Sequence, residues 1–124
     1  MNSTIGNEWN QLYSNNSKIQ AFAVTKDGAI VWQTDNWDLV EDVSTIMKVL
    51  KDDKSKVSVG GVKYKKISSS TDSYVATADD NKGHLLIVKI DEAAWAIAFA
   101  APHAVPELSI IDVMKAAIQL INHV

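Results

Sequence analysis

The sequence predicts an α+β fold in which an antiparallel β-sheet is sandwiched between helices, with the amino- and carboxy-terminal helices packed together on one face. Three observations support this prediction. Residues 94–100 alternate strictly between large and small side chains, which is the period of a β-strand. Residues 84–90 are apolar on both faces, as in a central strand that is covered on two sides. Both ends of the chain carry apolar residues at helical spacing.

The two faces of residues 94–100 differ in size as much as in polarity. Trp95, Ile97 and Phe99 point to one side, where we expect them to fill a core. The residues between and around them are alanines, so a helix can lie close against the other side. Residues 91–93 form a polar break that is short enough for a hairpin with residues 84–90.

Composition describes an ordinary soluble globular protein, and 124 residues suit one domain spanning residues 1–124. The chain has no cysteine, and we expect it to be cytoplasmic because it shows neither a signal peptide nor an apolar run of membrane-spanning length. The net charge is −3 and all 12 basic residues are lysine. Without arginine, the usual reader of bases, sequence-specific nucleic-acid binding is not expected.

The first half of the chain predicts a helix, a hairpin and a second helix. Residues 4–14 have one apolar stripe at helical spacing. Residues 19–25 and 29–33 are two short apolar strands around the turn signal Lys26-Asp27-Gly28. Residues 38–51 predict a helix with acidic residues in its first turn and lysines at its end, as the helix dipole favours. These charged residues are Asp38, Glu41, Asp42, Lys48 and Lys51.

The second half predicts further strands and a closing helix. Gly60-Gly61 joins two extended segments, and Lys66 breaks the alternation where we expect a bulge or a strand end. Residues 73–78 form another strand, followed by a polar loop over residues 79–83. From Pro106 the pattern is helical, with an apolar stripe wider than a single contact requires. We therefore expect this helix to touch both the sheet and the first helix.

Catalytic and metal-binding patterns are not found in the sequence. The three histidines are far apart in the chain and none lies at ligand spacing, so neither a metal site nor a cofactor is expected. No nucleophile elbow or glycine-rich phosphate motif occurs. The chain is therefore not expected to be an enzyme, and binding is the remaining class of function.

Residues 48–66 contain seven of the 12 lysines. One interpretation is a solvated face and loop. The alternative is a local positive patch, on a net acidic protein, that meets an acidic protein or an anionic lipid headgroup.

The order of elements, together with four short motifs, resembles the profilin family of small actin-monomer-binding proteins. Trp9 and Tyr13 stand where the family's first helix carries a tryptophan and a tyrosine. The turn at residues 26–28 followed by Val31-Trp32 is similar to the family's first hairpin. Residues 60–64, Gly-Gly-Val-Lys-Tyr, look like the family's Gly-Gly-x-Lys-Tyr strand opening. With the closing helix, the resemblance covers nearly the full chain.

The resemblance implies a monomeric protein that binds monomeric actin and regulates actin polymerisation. In the family, the contact uses the middle and later strands and the start of the last helix. Lys63 matches an actin-facing lysine, and Lys65 lies two positions on along the same face. The other residues at corresponding positions are Asp79, Asp80, His103, Glu107 and Asp112. Asp79 and Asp80 stand where many profilins are basic, which alters the charge complementarity there.

The resemblance also implies two further ligands. Profilins hold proline-rich segments between the terminal helices, where Trp9, Tyr13 and Trp32 would supply one half of an aromatic groove. For Trp32 taken alone, a core position is the favoured interpretation, because tryptophan is mostly buried. Ile121 stands where the last helix has an aromatic or histidine–leucine pair, so proline binding is expected to be weak or absent. Lys51, Lys54 and Lys56 are the expected phosphoinositide contacts. These departures indicate a divergent member, with the archaeal profilins as the expected group.

A roadblock-type domain is the alternative interpretation. Such domains place a five-stranded antiparallel sheet between helices and form homodimers that scaffold or regulate small GTPases. The unusually apolar last helix would serve a dimer. The Gly60–Tyr64 motif and the Trp9/Trp32 pair have no role in that alternative.

Overall fold

A seven-stranded antiparallel sheet and three α-helices make up the fold, in a computed structural model that describes residues 3–124. The helices are α1 (Ser3–Asn15), α2 (Val43–Asp52) and α3 (Pro106–Leu120). The strands are β1 (Ile19–Lys26), β2 (Ala29–Gln33), β3 (Lys56–Val59), β4 (Val62–Ser69), β5 (Ser73–Ala78), β6 (His84–Asp91) and β7 (Ala94–Ala100). The predicted α+β class is confirmed.

The strand order across the sheet is β2-β1-β7-β6-β5-β4-β3. After β2 the chain passes through α2 to the far edge at β3, and it then returns strand by strand to β7. There β7 pairs with β1, so the strand that follows α1 lies beside the strand that precedes α3. The predicted hairpin between residues 84–90 and 94–100 forms the centre of the sheet.

The two faces of β7 face two separate cores, as the alternation predicts. Its alanines lie under α1 and α3 in one core, and their small side chains let both helices approach the sheet closely. Ile97 is buried in the second core, where Trp95 and Phe99 pack at its margin. Two of the three buried residues of α2, Ile46 and Val49, belong to this second core.

Helix α3 contacts both the sheet and α1, as its wide apolar surface predicts. It packs on β6 and β7, and Asn16 at the end of α1 donates to it through Nδ2. The acceptors are Ser109 Oγ at 3.2 Å and Asp112 Oδ2 at 3.0 Å. The terminal helices therefore lie side by side on one face of the sheet.

The helix predicted at residues 38–51 begins five residues later, at Val43, so the predicted start is wrong. Two side chains hold the preceding backbone in turns instead. Gln33 Oε1 accepts the Leu39 N–H at 2.9 Å, and Asp38 Oδ1 accepts the Val40 N–H at 3.2 Å. Leu39 is fully buried by this arrangement.

The predicted acidic first turn is therefore wrong as well. Asp38 and Glu41 lie before the helix, and Asp42 occupies the N-cap position without a side-chain capping bond. The Asp42 carboxylate instead accepts the Gly60 N–H at 3.3 Å, across to the β3–β4 hairpin.

The β3–β4 connection is a two-residue hairpin built by Gly60 and Gly61. Their φ angles are +59° and +79°, which residues with a side chain rarely adopt and which suit the twist of a tight hairpin. Further along β4, the register with β5 shifts between Lys66 and Ser68. The irregularity predicted at Lys66 is confirmed as a β-bulge.

Asp53, directly after α2, ties the bulge to the end of that helix. Its Oδ1 accepts from Ser69 Oγ at 2.7 Å and from Lys66 Nζ at 3.1 Å. The Ser69 hydrogen bond first, and then the Lys66 hydrogen bond and charge, hold the pKa of the Asp53 carboxyl below its ordinary value. The ionised carboxylate is thus the form that the folded state favours.

We expect the substitution Ala98→Leu to lower the free energy of unfolding by about 1–3 kcal/mol, because an added side chain overpacks the space beneath α1 and α3. Ala98 is fully buried between Phe22 and Leu86 in the middle of the sheet. Urea denaturation measures the change. Ala29→Leu, on the exposed edge strand β2, is the matched control and is expected to change stability little. Equal stability of the two variants would contradict a close helix contact at β7.

A second prediction concerns the pH dependence set by Asp53. Because the folded-state pKa lies below the unfolded one, this group stabilises the fold above about pH 4. The contribution is lost as the pH falls through the folded-state pKa. Wild type is therefore expected to be more stable than Asp53→Asn at neutral pH, with the gap closing on acidification. Denaturation curves from pH 7 to pH 2 measure the gap, and Asp52→Asn serves as the control. A gap that stays constant with pH would rule out this role for the carboxylate.

Candidate functional site

Helices α1 and α3 pack on the same face of the sheet and cover only part of it. Helix α1 packs on β1 and α3 packs on β6 and β7. On the same side, within residues 3–124, no helix packs on β4 or β3, and β5 contributes only Val75 to the core beneath α1 and α3. Lys63 and Lys65 point to this side because Tyr64, between them, is buried in the core beneath α2. We call this surface the open sheet face and define it by Lys56, Lys63, Lys65 and Thr77.

Charge on the open sheet face is mostly positive. Lys56 lies directly opposite Lys65 in the β3–β4 pair, and both line a shallow depression of about 390 Å³ with Lys63 and Asp79. Lys65 Nζ lies 3.6 Å from Asp79 Oδ2. Because both of these side chains are well exposed, their pairing contributes little and leaves the three lysines available to a partner.

Asp79 and Asp80 border the open sheet face. They form the single turn of 3₁₀-helix after β5, where Asp80 has φ of +59°. Together with Lys63 and Lys82 they line a second small depression of about 240 Å³. The structure therefore brings four of the predicted actin contacts together, namely Lys63, Lys65, Asp79 and Asp80.

His103 and Glu107 join this surface from the other side of the open sheet face. His103 lies in the loop between β7 and α3, Glu107 lies in the first turn of α3, and both are exposed. The backbone of the preceding residue, Pro102, is hydrogen-bonded to His84 at the start of β6. His84 in turn contacts Thr77 of the open sheet face.

Asp112 is not brought together with the other predicted contacts. It accepts the 3.0 Å hydrogen bond from Asn16 and therefore faces α1. At 100° per residue, Asp112 lies about 100° around the helix axis from Ile111 and about 120° from Ile118, on the side toward α1.

The flank of α3 that looks away from α1 is apolar and exposed, which the sequence analysis did not identify. Ile111 and Ile118 belong to a stripe that was expected to be covered by the sheet or by α1. In the structure, the exposed fractions of Leu108, Ile111, Ile118 and Ile121 are 63%, 47%, 63% and 44%. The width of the apolar stripe could have indicated this exposure. The sheet and α1 together cover only part of the circumference of α3, so some of a very wide stripe must stay exposed.

The groove between α1 and α3 is polar. It is an open groove of about 340 Å³ whose rim carries amide, carboxylate and ammonium groups. These belong to Glu8, Gln11, Asn15, Asp112, Lys115 and Gln119. The terminal helices therefore enclose a polar groove, in place of the aromatic groove that the resemblance implies.

Of the predicted proline-binding aromatics, Trp9 and Trp32 pack against Phe22, and Tyr13 contacts Trp9. The ring centroids of Trp9 and Tyr13 are 5.5 Å apart, and Phe22 lies 6.1 Å from Trp9 and 6.2 Å from Trp32. Trp9 and Trp32 are partly buried against the core, so Trp32 is in part the core residue that one interpretation expected. Ile121, just after α3, is on the flank away from α1. Binding of proline-rich segments stays a prediction.

The three lysines predicted for phosphoinositide do not form one cluster. Lys51 is in the last turn of α2, beneath the sheet, whereas Lys56 is on the open sheet face. Lys54 lies between them, and its carbonyl accepts the Tyr74 hydroxyl at 2.6 Å. Lipid binding by this set also stays a prediction.

Within residues 3–124, no three histidine, cysteine or acidic side chains gather as metal ligands would. No helix there has the length and apolar character that a membrane crossing requires.

Comparison with known proteins identifies relatives over the whole domain. No family model matches the chain. Thor profilin from Thorarchaeota archaeon (strain AB_25) is 36% identical over 121 residues, which cover 94% of each chain. Loki profilin-2 from Lokiarchaeum sp. (strain GC14_75) is 31% identical over 108 residues, covering 80% of this chain and 81% of the relative.

A solved structure agrees with these sequence relatives. The profilin in a complex of Loki profilin-2 with rabbit actin superposes with a TM-score of 0.94 at 28% identity and covers all of both chains. The roadblock-type alternative, which expected a five-stranded sheet, is not favoured by these relatives or by the seven strands observed. The sequence relatives come from archaea, as the departures from the common profilin pattern led us to expect, and the chain belongs to the profilin family.

Proposed function

We propose that this profilin-family chain binds actin monomers through the open sheet face and the adjoining start of α3, and so regulates actin polymerisation. The observation that carries the proposal is that three lysines lie on the uncovered strands β3 and β4, while exposed apolar residues lie on α3, the helix that packs on β6 and β7. The superposition on a profilin that was solved in complex with rabbit actin supports the choice of partner.

Such a surface has the chemistry of a protein-binding interface. Leu108 and Ile111 offer apolar area that water leaves when a partner docks, which is the main source of affinity. Lys63 and Lys65 form a charged margin that steers an acidic partner and fixes its orientation. His103, in the loop before α3, and Glu107, in its first turn, would add polar groups to the proposed surface.

Binding of this kind regulates assembly without catalysis. A monomer held by the chain is withdrawn from spontaneous nucleation, so filament formation starts more slowly as the fraction bound rises. We therefore infer a non-enzymatic role, carried out in the cytoplasm where actin monomers are found. That the chain acts as a monomer stays a prediction.

The first test is charge reversal on the open sheet face. Lys63→Glu is expected to weaken actin-monomer binding about tenfold, because it places a like charge against an acidic partner. The effect on spontaneous assembly of labelled actin measures the change. Lys48→Glu makes the same charge change on α2, beneath the sheet, and is expected to slow nucleation as wild type does. If wild type does not slow nucleation, the proposed function is wrong.

The second test removes an apolar contact. Ile111→Asp is expected to weaken actin binding about tenfold or more, because a carboxylate must lose its water in the apolar part of the interface. Val31→Asp is the matched control, since Val31 is 49% exposed and Ile111 47%, and Val31 lies on the distant edge strand β2. Equal affinities of the two variants would remove the α3 flank from the interface.

A further inference from the structure

His84 lies in a row of residues that crosses the sheet toward the start of α3. Lys65 is directly opposite Thr77, Thr77 is opposite His84, and His84 is opposite Ala100. Residues opposite one another share a face, so the row runs from the open sheet face to the end of β7. Pro102, whose carbonyl His84 contacts, is two residues further along the chain.

The imidazole of His84 is hydrogen-bonded at both nitrogens. Nε2 lies 3.2 Å from the Pro102 carbonyl oxygen, and Nδ1 lies 2.9 Å from Thr77 Oγ1. A carbonyl only accepts, so Nε2 carries a proton and donates it to Pro102. The ring is 8% exposed, and a buried hydrogen bond is costly to leave unmade.

The backbone around His84 brings the ring within reach of the loop at residues 101–105. A Cβ on Gly83 would lie 2.6 Å from the Phe99 ring and 2.7 Å from the Ala100 carbonyl oxygen, so only glycine allows this close approach to β7. The loop is also held at Ala101, which donates to the Lys18 carbonyl at 2.8 Å. Ala104 closes the loop by donating to Ala101 at 2.9 Å.

We infer that His84 is a positioning residue, which fixes the loop at residues 101–105, and with it His103 and the start of α3, relative to the lysines of the open sheet face. The inference rests on the proposed function, because the two parts form one actin-binding surface there. Thr77 orients the ring, and the Nε2–H holds Pro102. Releasing Pro102 leaves the two halves of the surface free to shift against each other, so a partner must order them on binding.

Three substitutions at one position separate the two hydrogen bonds. The amide nitrogen of His84→Gln can occupy the place of Nε2, whereas that of His84→Asn can only reach the place of Nδ1. His84→Ala removes both. We expect His84→Ala and His84→Asn to bind actin monomers about three- to tenfold more weakly, with faster hydrogen exchange at the Ala104 amide. His84→Gln is expected to restore both the affinity and the slow exchange.

A buried substitution also lowers stability, and Val88→Ala controls for this. Val88 is buried on the same strand and the same face as His84, so its truncation destabilises the fold without touching the loop. Val88→Ala is expected to bind actin as wild type does. Affinity unchanged in His84→Ala, or not restored by His84→Gln, would overturn the inference while wild-type binding upholds the proposed function. If wild type does not bind actin, both the proposed function and the inference are wrong, whatever the rate of hydrogen exchange at the Ala104 amide.

Discussion

The close contact between the alanine face of β7 and the two terminal helices determines the rest of this architecture. Small side chains at Ala96 and Ala98 let α1 and α3 lie close to the centre of the sheet, and Asn16 joins the two helices through Ser109 and Asp112. Helices about 10 Å apart cover about four strands, which lie about 4.8 Å from their neighbours. Strands β3 and β4 therefore remain uncovered on that side, and β5 is covered only in part, at Val75.

The uncovered strands have water on one side and the core beneath α2 on the other. Strands β3 and β4 alternate between an apolar side chain that faces α2 and a polar one that faces water, as Tyr64 does between Lys63 and Lys65. A shift of one residue would exchange the two sets, so the register is fixed by burial on the α2 side. The Gly60-Gly61 hairpin and the bulge held by Asp53 fix the two ends of β4. The same alternation that stabilises the sheet thus presents the lysines.

Features that depend on neighbours in the sequence were predictable. The strict alternation of residues 94–100, the turn at Gly60-Gly61 and the break at Lys66 all reflect local periodicity or backbone preference, and all three are observed. The start of α2 was not predictable in this way. Its first turn is replaced by the contact of Gln33 with Leu39, and the apolar spacing of residues 38–51 contains no trace of that contact.

The site was predictable only in part, for a similar reason. The side toward which Lys63 and Lys65 point follows from the alternation of β4, but the exposure of Ile111 depends on how many strands α3 covers. That number is set by the width of the whole sheet. The orientation of Asp112 was not predictable either, because its hydrogen-bond partner Asn16 is 96 residues away in the sequence.

The arrangement of the terminal helices also explains where binding chemistry is concentrated. Because Trp9 and Tyr13 are four residues apart, they share one side of α1 and contact each other, and Trp9 also stacks on Phe22. The side of α1 that faces α3 is left to Glu8, Gln11 and Asn15, which suit a hydrated groove and offer no aromatic surface to a proline-rich segment. The exposed apolar surface of α3, at Ile111 and Ile118, lies on its other flank.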